Sequence, residues 1–183
     1  MRGKFGVWCV FALFALCLLG TSAFFADVAG DGEPRVLRIP IDEEPDSFNV
    51  ARVSDYYSAM VASQVIEGLT GIVVKEGREV AVPACAESWE TSEDGLTWTF
   101  HLREMKWADG EPLRAADFVY GISRVLDPAT ASPISGKVRF IKNAGDVLQG
   151  RKPLSELGLE APDDRTFVVR LEHPVPYLLQ SAA

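Results

Sequence analysis

Cysteine and histidine are scarce in this sequence, and most of the chemistry that depends on them is excluded with them. The 183 residues hold three cysteines and two histidines. Cys9 and Cys17 lie in the first apolar run, so Cys85 is the one thiol of the remainder and no internal disulfide forms there. Its neighbours Val82-Pro83-Ala84 and Ala86 are apolar. A free cysteine in such a setting behaves as a small buried hydrophobe, whereas a catalytic thiol needs a histidine or positive surroundings. His101 alternates with apolar residues on a strand and falls on its wetter face, and His173 precedes Pro174 in a loop. H-E-x-x-H, C-x-x-C and G-x-S-x-G are all missing, and Gly30-Asp31-Gly32 lacks the rest of a dinucleotide fingerprint. Nothing singles out a nucleophile with its base, which points away from an enzyme and from a resident metal or cofactor.

Positive charge is also in short supply. The formal net charge is -8, from 18 basic and 26 acidic residues. Without Arg2 and Lys4 of the first segment, 16 basic residues face 26 acidic ones. A nucleic-acid partner is excluded on that balance, because binding phosphates needs a basic face. Internal repeats, coiled-coil heptads and low-complexity tracts are absent as well. Apolar residues nonetheless make up 48% of the chain, enough for one domain with a core.

Residues 1–23 read as a secretory signal. Arg2 and Lys4 give a positive start, Phe5 to Leu19 an apolar run, and Thr21-Ser22-Ala23 small residues for cleavage. The run is short for a membrane span, which takes about 20 residues. Cys17 raises lipid attachment as an alternative, but Leu16 stands where such motifs carry a small residue. Export with cleavage after Ala23 is the expectation. Residues 24–35 form a loose lead-in containing glycine, aspartate and proline.

The stretch from Leu96 to Pro128 is the clearest structural unit. Trp98, Phe100 and Leu102 alternate with Thr97, Thr99, His101 and Arg103, as in a half-buried strand. Ala108 to Pro112 turns the chain. Phe118, Ile122, Val125 and Leu126 then make one helical stripe, which Asp127-Pro128 ends. Strand face and helix stripe are expected to cover one another, burying Trp98, Phe100, Phe118 and Ile122 together. Trp89, Trp107 and Tyr120 sit at strand or helix spacing too, where core packing is the default for most aromatics.

Elsewhere, Val36 to Ile41 alternates as a first strand. The acidic residues Asp42, Glu43, Glu44 and Asp46 follow it without the glycine and distal glutamate of a calcium loop, and read as a solvated loop. Ser54 is a candidate N-cap for a helix running to about Ile66, with Met60, Val61, Val65 and Leu69 on one face. Gly71 to Val74 and Arg78 to Val82 form a hairpin through Lys75-Glu76-Gly77. Phe140 to Leu148 is a short helix ended by Gly150, Leu154 to Leu157 a further turn, and Thr166 to Leu171 another alternating strand.

Several of these segments carry more than their chemistry. Glu67-Gly68-Leu69, Val82 to Glu90 (VPACAESWE), Phe100-His101-Leu102-Arg103, Lys106-Trp107-Ala108-Asp109-Gly110 and Ala116-Asp117-Phe118-Val119-Tyr120 occur in order. They are followed by Asp127 to Pro133 (DPATASP) and Pro174-Val175-Pro176-Tyr177. From Val36 to Ala183 the chain resembles the family 5 solute-binding proteins of peptide ABC transporters. That resemblance implies an α/β fold of the periplasmic-binding-protein type II kind, closing in two lobes on an extended peptide held mainly by its backbone and ends. It implies a non-enzymatic, cofactor-free, monomeric protein of the periplasm or cell exterior, with oligopeptides as ligands and a membrane permease as partner.

By the same resemblance, family members contact the peptide from the loop before the first helix, here about Val53 to Tyr56. Ser54 stands where a peptide-binding member has an acidic ligand-side residue, and Tyr56 where it has a small apolar one. Ile134 stands where a ligand-contacting tyrosine follows the Thr-Ala-Ser-Pro motif. Family members are far longer, so residues 36–183 are expected to form the first lobe with its accessory subdomain and to lack the second. Strand 36–41 is then expected to miss neighbours that later sequence supplies. The alternative is a secreted interaction domain that no longer transports, a relic of a binding protein without its second lobe.

Overall fold

The aromatic strand lies at the centre of a four-stranded antiparallel sheet. The computed structural model describes residues 37–183, so the signal and the lead-in up to residue 35 lie outside the described residues. Six strands are described: β1 (Thr70–Lys75), β2 (Arg78–Pro83), β3 (Ala86–Thr91), β4 (Thr97–Leu102), β5 (Leu159–Glu160) and β6 (Thr166–Arg170). Four helices accompany them: α1 (Tyr56–Ala62), α2 (Ala115–Leu126), α3 (Ala144–Leu148) and α4 (Leu178–Ser181). Short 3-10 turns occupy Val50–Arg52, Pro128–Thr130, Ser135–Val138 and Leu154–Glu156.

The larger sheet has the order β3-β4-β6-β5, with Phe100 opposite both Trp89 and Phe167. Alternation then decides the core. Phe100 and Leu102 from β4 are each 1% exposed, and Phe167 from β6 is fully covered. The rings of Phe100 and Phe167 stack with centroids 6.2 Å apart, and Phe118 of α2 meets Phe167 at 5.8 Å. Helix α2 therefore covers the sheet through β6. Ala115 and Leu126 are its fully buried residues, while Phe118 and Ile122 are half-buried against the same core. Trp98 is half-buried as well, 6.4 Å from Phe100. The four residues expected to share a core do so, with Phe100 completely enclosed and Trp98, Phe118 and Ile122 half-buried against the same cluster.

Glycine is required where chain segments meet closely. A Cβ on Gly158 would lie 2.7 Å from the Arg170 carbonyl and 2.7 Å from the Lys142 side chain, at the point where β5 enters the sheet. The β1–β2 hairpin turns on Glu76 and Gly77 at φ of 52° and 74°, the left-handed pair that a two-residue antiparallel connection needs.

Two expectations are corrected near the start of the described chain. Residues 37–41 carry no strand, and Leu37, 82% exposed, faces solvent together with Ile39 and Ile41; Val36 lies outside the described residues. Alternation alone does not make a strand when no ladder partner satisfies its backbone. The acidic residues after it do lie in an exposed loop. The N-cap of α1 is Asp55, whose side chain accepts the Ser58 N–H at 2.8 Å, and not Ser54. That helix ends at Ala62, four residues before Ile66, and Leu69 packs into the core from outside it. Strand β3, with Trp89 half-buried, and the two-residue β5 are elements that the residue pattern did not announce.

Candidate functional site

Cys85 and His101 lie in different settings, one in the core and one on the sheet surface. Cys85 is buried, its thiol 3.5 Å from the Glu67 carbonyl, and burial followed by the nearby Glu67 charge pushes its pKa up. A thiol held protonated in this way is a poor nucleophile. His101 Nε2 lies 3.6 Å from Glu90 on the outer face of the sheet. Trp107 and Tyr120 are exposed on the surface, against the default of core packing. Trp107 donates its indole N–H to Asp117 at 3.2 Å, and the Arg124 guanidinium lies over the Tyr120 ring at 5.9 Å.

The three candidate ligand residues lie on two surface loops that the fold draws together. Ser54 is exposed between the Val50–Arg52 turn and α1, and Tyr56, 74% exposed, is the first residue of that helix. Its ring meets Tyr57 edge-on at 5.4 Å. Ile134 is half-buried after the Pro128–Thr130 turn. Between the loops, the Ser132 hydroxyl donates to the Ala51 carbonyl at 2.5 Å, and the Arg52 guanidinium donates to the Thr130 carbonyl at 3.1 Å. Ser54 and Tyr56 thus follow one of the segments that these two hydrogen bonds fasten together, and Ile134 follows the other, although no direct bond joins the three.

The first loop is also closed at its base. The Ser58 side chain, fully buried, accepts the Ser47 N–H at 3.1 Å, while Asn49 accepts the Ala51 N–H at 3.3 Å. Hydrogen bonds from the Ser58 side chain and then the Ser58 amide hold the Asp55 carboxyl below its ordinary value of 3.8. In the second loop Ala131 takes a φ of 48°, a left-handed conformation that costs an L-residue roughly 1–2 kcal/mol. That twist leaves the Thr130 carbonyl and the Ser132 hydroxyl both bonded to the first loop.

Sequence reasoning named Ser54, Tyr56 and Ile134 but missed Ala51, Arg52, Asp55, Ser58 and Ser132. Asp55 was the legible one, as an acid three positions before a serine at a helix start. Ser132 lies inside a quoted motif, yet nothing in its spacing announces a partner 81 residues away. Among the described residues no group of three or more histidines, cysteines or carboxylates is placed to hold a metal ion.

A two-layer scaffold of helices on an antiparallel sheet thus carries a pair of loops cross-linked by hydrogen bonds. The model of the bacterial extracellular solute-binding proteins, family 5, matches residues 80–183, more than half of the chain. The chain belongs to that family. It is 43% identical over 137 residues to the periplasmic oligopeptide-binding protein OppA of Haemophilus influenzae, an alignment covering 73% of this chain and 25% of that protein. Over 146 residues it is 38% identical to the probable deoxycholate-binding periplasmic protein YgiS of Escherichia coli, covering 78% and 27%. The crystal structure of Haemophilus influenzae OppA in complex with RPPGFSPFR superposes with a TM-score of 0.66 at 43% identity, over 73% of this chain and 26% of that one. The chain thus spans about a quarter of the length of the curated relatives it matches.

Proposed function

We propose that this chain contributes to an extracytoplasmic solute-binding component that captures oligopeptides for an ABC permease, and that it is not an enzyme. The observation that carries this reading is its 43% identity to a periplasmic oligopeptide-binding protein across 73% of the chain. Ser54, Tyr56 and Ile134 are the ligand-side residues, held on two loops that hydrogen bonds fasten together. Residues 36–183 belong to the first lobe of the clamp, and the bound peptide is enclosed only when a second lobe closes over it. The binding component acts as a monomer.

One lobe leaves a peptide half solvated, so the 183-residue chain by itself binds peptides weakly. Calorimetry of the purified chain against a mixed pool of short peptides tests this. The expected result is no saturable heat at peptide concentrations on the order of micromolar. Saturable micromolar binding would show that one lobe suffices.

Export through the general secretory route, with residues 1–23 removed, completes the reading. Mass spectrometry of the exported chain is expected to find Phe24 at the new amino terminus. A lipidated Cys17 there would replace the soluble form with an anchored one. A secreted interaction domain that no longer transports is the second reading.

A further inference from the structure

Two anchors fix the exposed stretch that carries Ser54 and Tyr56, and they differ in kind. The base anchor is local: Ser47 reaches Ser58, the residue two positions beyond Tyr56. The other anchor is distant: Ala51 and Arg52, just before Ser54, bond to Ser132 and Thr130 across 81 and 78 residues. Ser132 is the buried member of that pair at 8% exposure, whereas the Arg52–Thr130 bond is exposed. Ile134 follows Ser132 by two positions, so one hydroxyl sets the register of both loops at once.

We propose that Ser132 is a positioning residue for ligand binding, its hydroxyl holding the loop of Ser54 and Tyr56 in register with the loop of Ile134. The role rests on the reading of these loops as ligand-facing. Ser132 itself need not touch the ligand. Its hydroxyl is turned to the Ala51 carbonyl, and the left-handed Ala131 beside it is a backbone conformation kept where surrounding bonds over-determine it. Loss of the hydroxyl removes the buried tether and leaves the exposed Arg52–Thr130 bond to hold the loops alone.

Amide hydrogen exchange on the full chain, comparing wild type with Ser132→Ala and Arg52→Ala, separates this role from general stability. The reporters are the Arg52 and Val53 amides, bonded to the Asn49 and Val50 carbonyls within the first loop. Ser132→Ala is expected to raise their exchange about tenfold, the scale of one buried hydrogen bond. Exchange at Phe100 and Phe167 in the sheet should be unchanged. Arg52→Ala, an exposed change, should give a smaller rise of about threefold at Val53. Peptide-induced resonance shifts at Ser54, Tyr56 and Ile134 should fall at least twofold in Ser132→Ala.

Unchanged exchange at Arg52 and Val53 in Ser132→Ala, or a rise no larger than that in Arg52→Ala, would overturn the proposal. So would an equal rise at Phe100 and Phe167, which would make Ser132 a residue of general stability. If the wild-type chain shows no peptide response, the ligand reading fails by itself. The exchange comparison would still support or overturn the register role.

Discussion

The chain between Ala86 and Leu178 covers most of its apolar side chains, while the chain between Ile41 and Val80 leaves many of them in solvent. In the first region β3, β4 and β6 have a helix to face, and Phe100, Phe167, Leu126 and Val147 are enclosed by it and by each other. In the second region β1 and β2 make a two-stranded ribbon, and Ile72, Val73, Val74 and Val80 are exposed on it. A sheet face becomes a core only where another layer meets it, and a lone two-stranded ribbon is marginal in water. The difference separates a scaffold that holds itself together from a surface that presents side chains. The loops with Ser54, Tyr56 and Ile134 lie beside one of the ties between these two parts, the bonds from residues 51–52 to residues 130–132; others run from Leu69 and Thr70 to Ala86 and Leu179.

The comparison breaks most visibly if the sheet core tolerates truncation. Phe167→Ala removes a fully covered ring from contact with both Phe100 and Phe118, and should cost about 3–5 kcal/mol in urea denaturation. Phe118→Ala, half-buried, should cost about 2 kcal/mol. Equal losses at the two positions would show that α2 seals the sheet more tightly than its exposure indicates.

Asp55→Ala removes the N-cap of α1 and should lower stability in urea denaturation by less than Phe118→Ala does, with Asp55→Asn recovering most of the loss. The pH dependence has a definite sign. The carboxyl is held below its ordinary value in the folded chain, so the cap's contribution is complete above about pH 4 and is lost as pH falls through the lowered folded value. Acid titration of wild type and Asp55→Ala should therefore converge below that point. Val74→Thr on the exposed ribbon should change stability by less than about 0.5 kcal/mol. A large loss there would mean that the ribbon is covered in solution.

How much of this was legible in the sequence depends on whether the deciding contacts are local. The hairpin was, because Glu76-Gly77 supplies the turn within two residues. So was α2, whose stripe and Asp127-Pro128 stop lie inside one segment. Strand β4 was readable from its alternation, and Cys85 from its apolar neighbours. Strand β3 was not: Ala86 to Thr91 places mostly polar residues around a single tryptophan, and it is a strand because β4 offers a ladder edge to it. Segment 37–41 fails in the opposite sense, with a strand-like pattern and no strand. The candidate ligand residues came from resemblance, and what fastens them came only from the fold. The bond between Ser132 and Ala51 joins residues 81 positions apart, so no local pattern announces it.

The most direct test of the account is a resonance-by-resonance titration of the 183-residue chain with short peptides at concentrations on the order of millimolar. The account predicts small, fast-exchange shifts confined to the loops at residues 49–57 and 128–135, centred on Ser54, Tyr56 and Ile134. The outer sheet face around Thr99 and His101 should stay silent. Shifts centred on that face or on the β1–β2 ribbon, with the two loops unmoved, would contradict it.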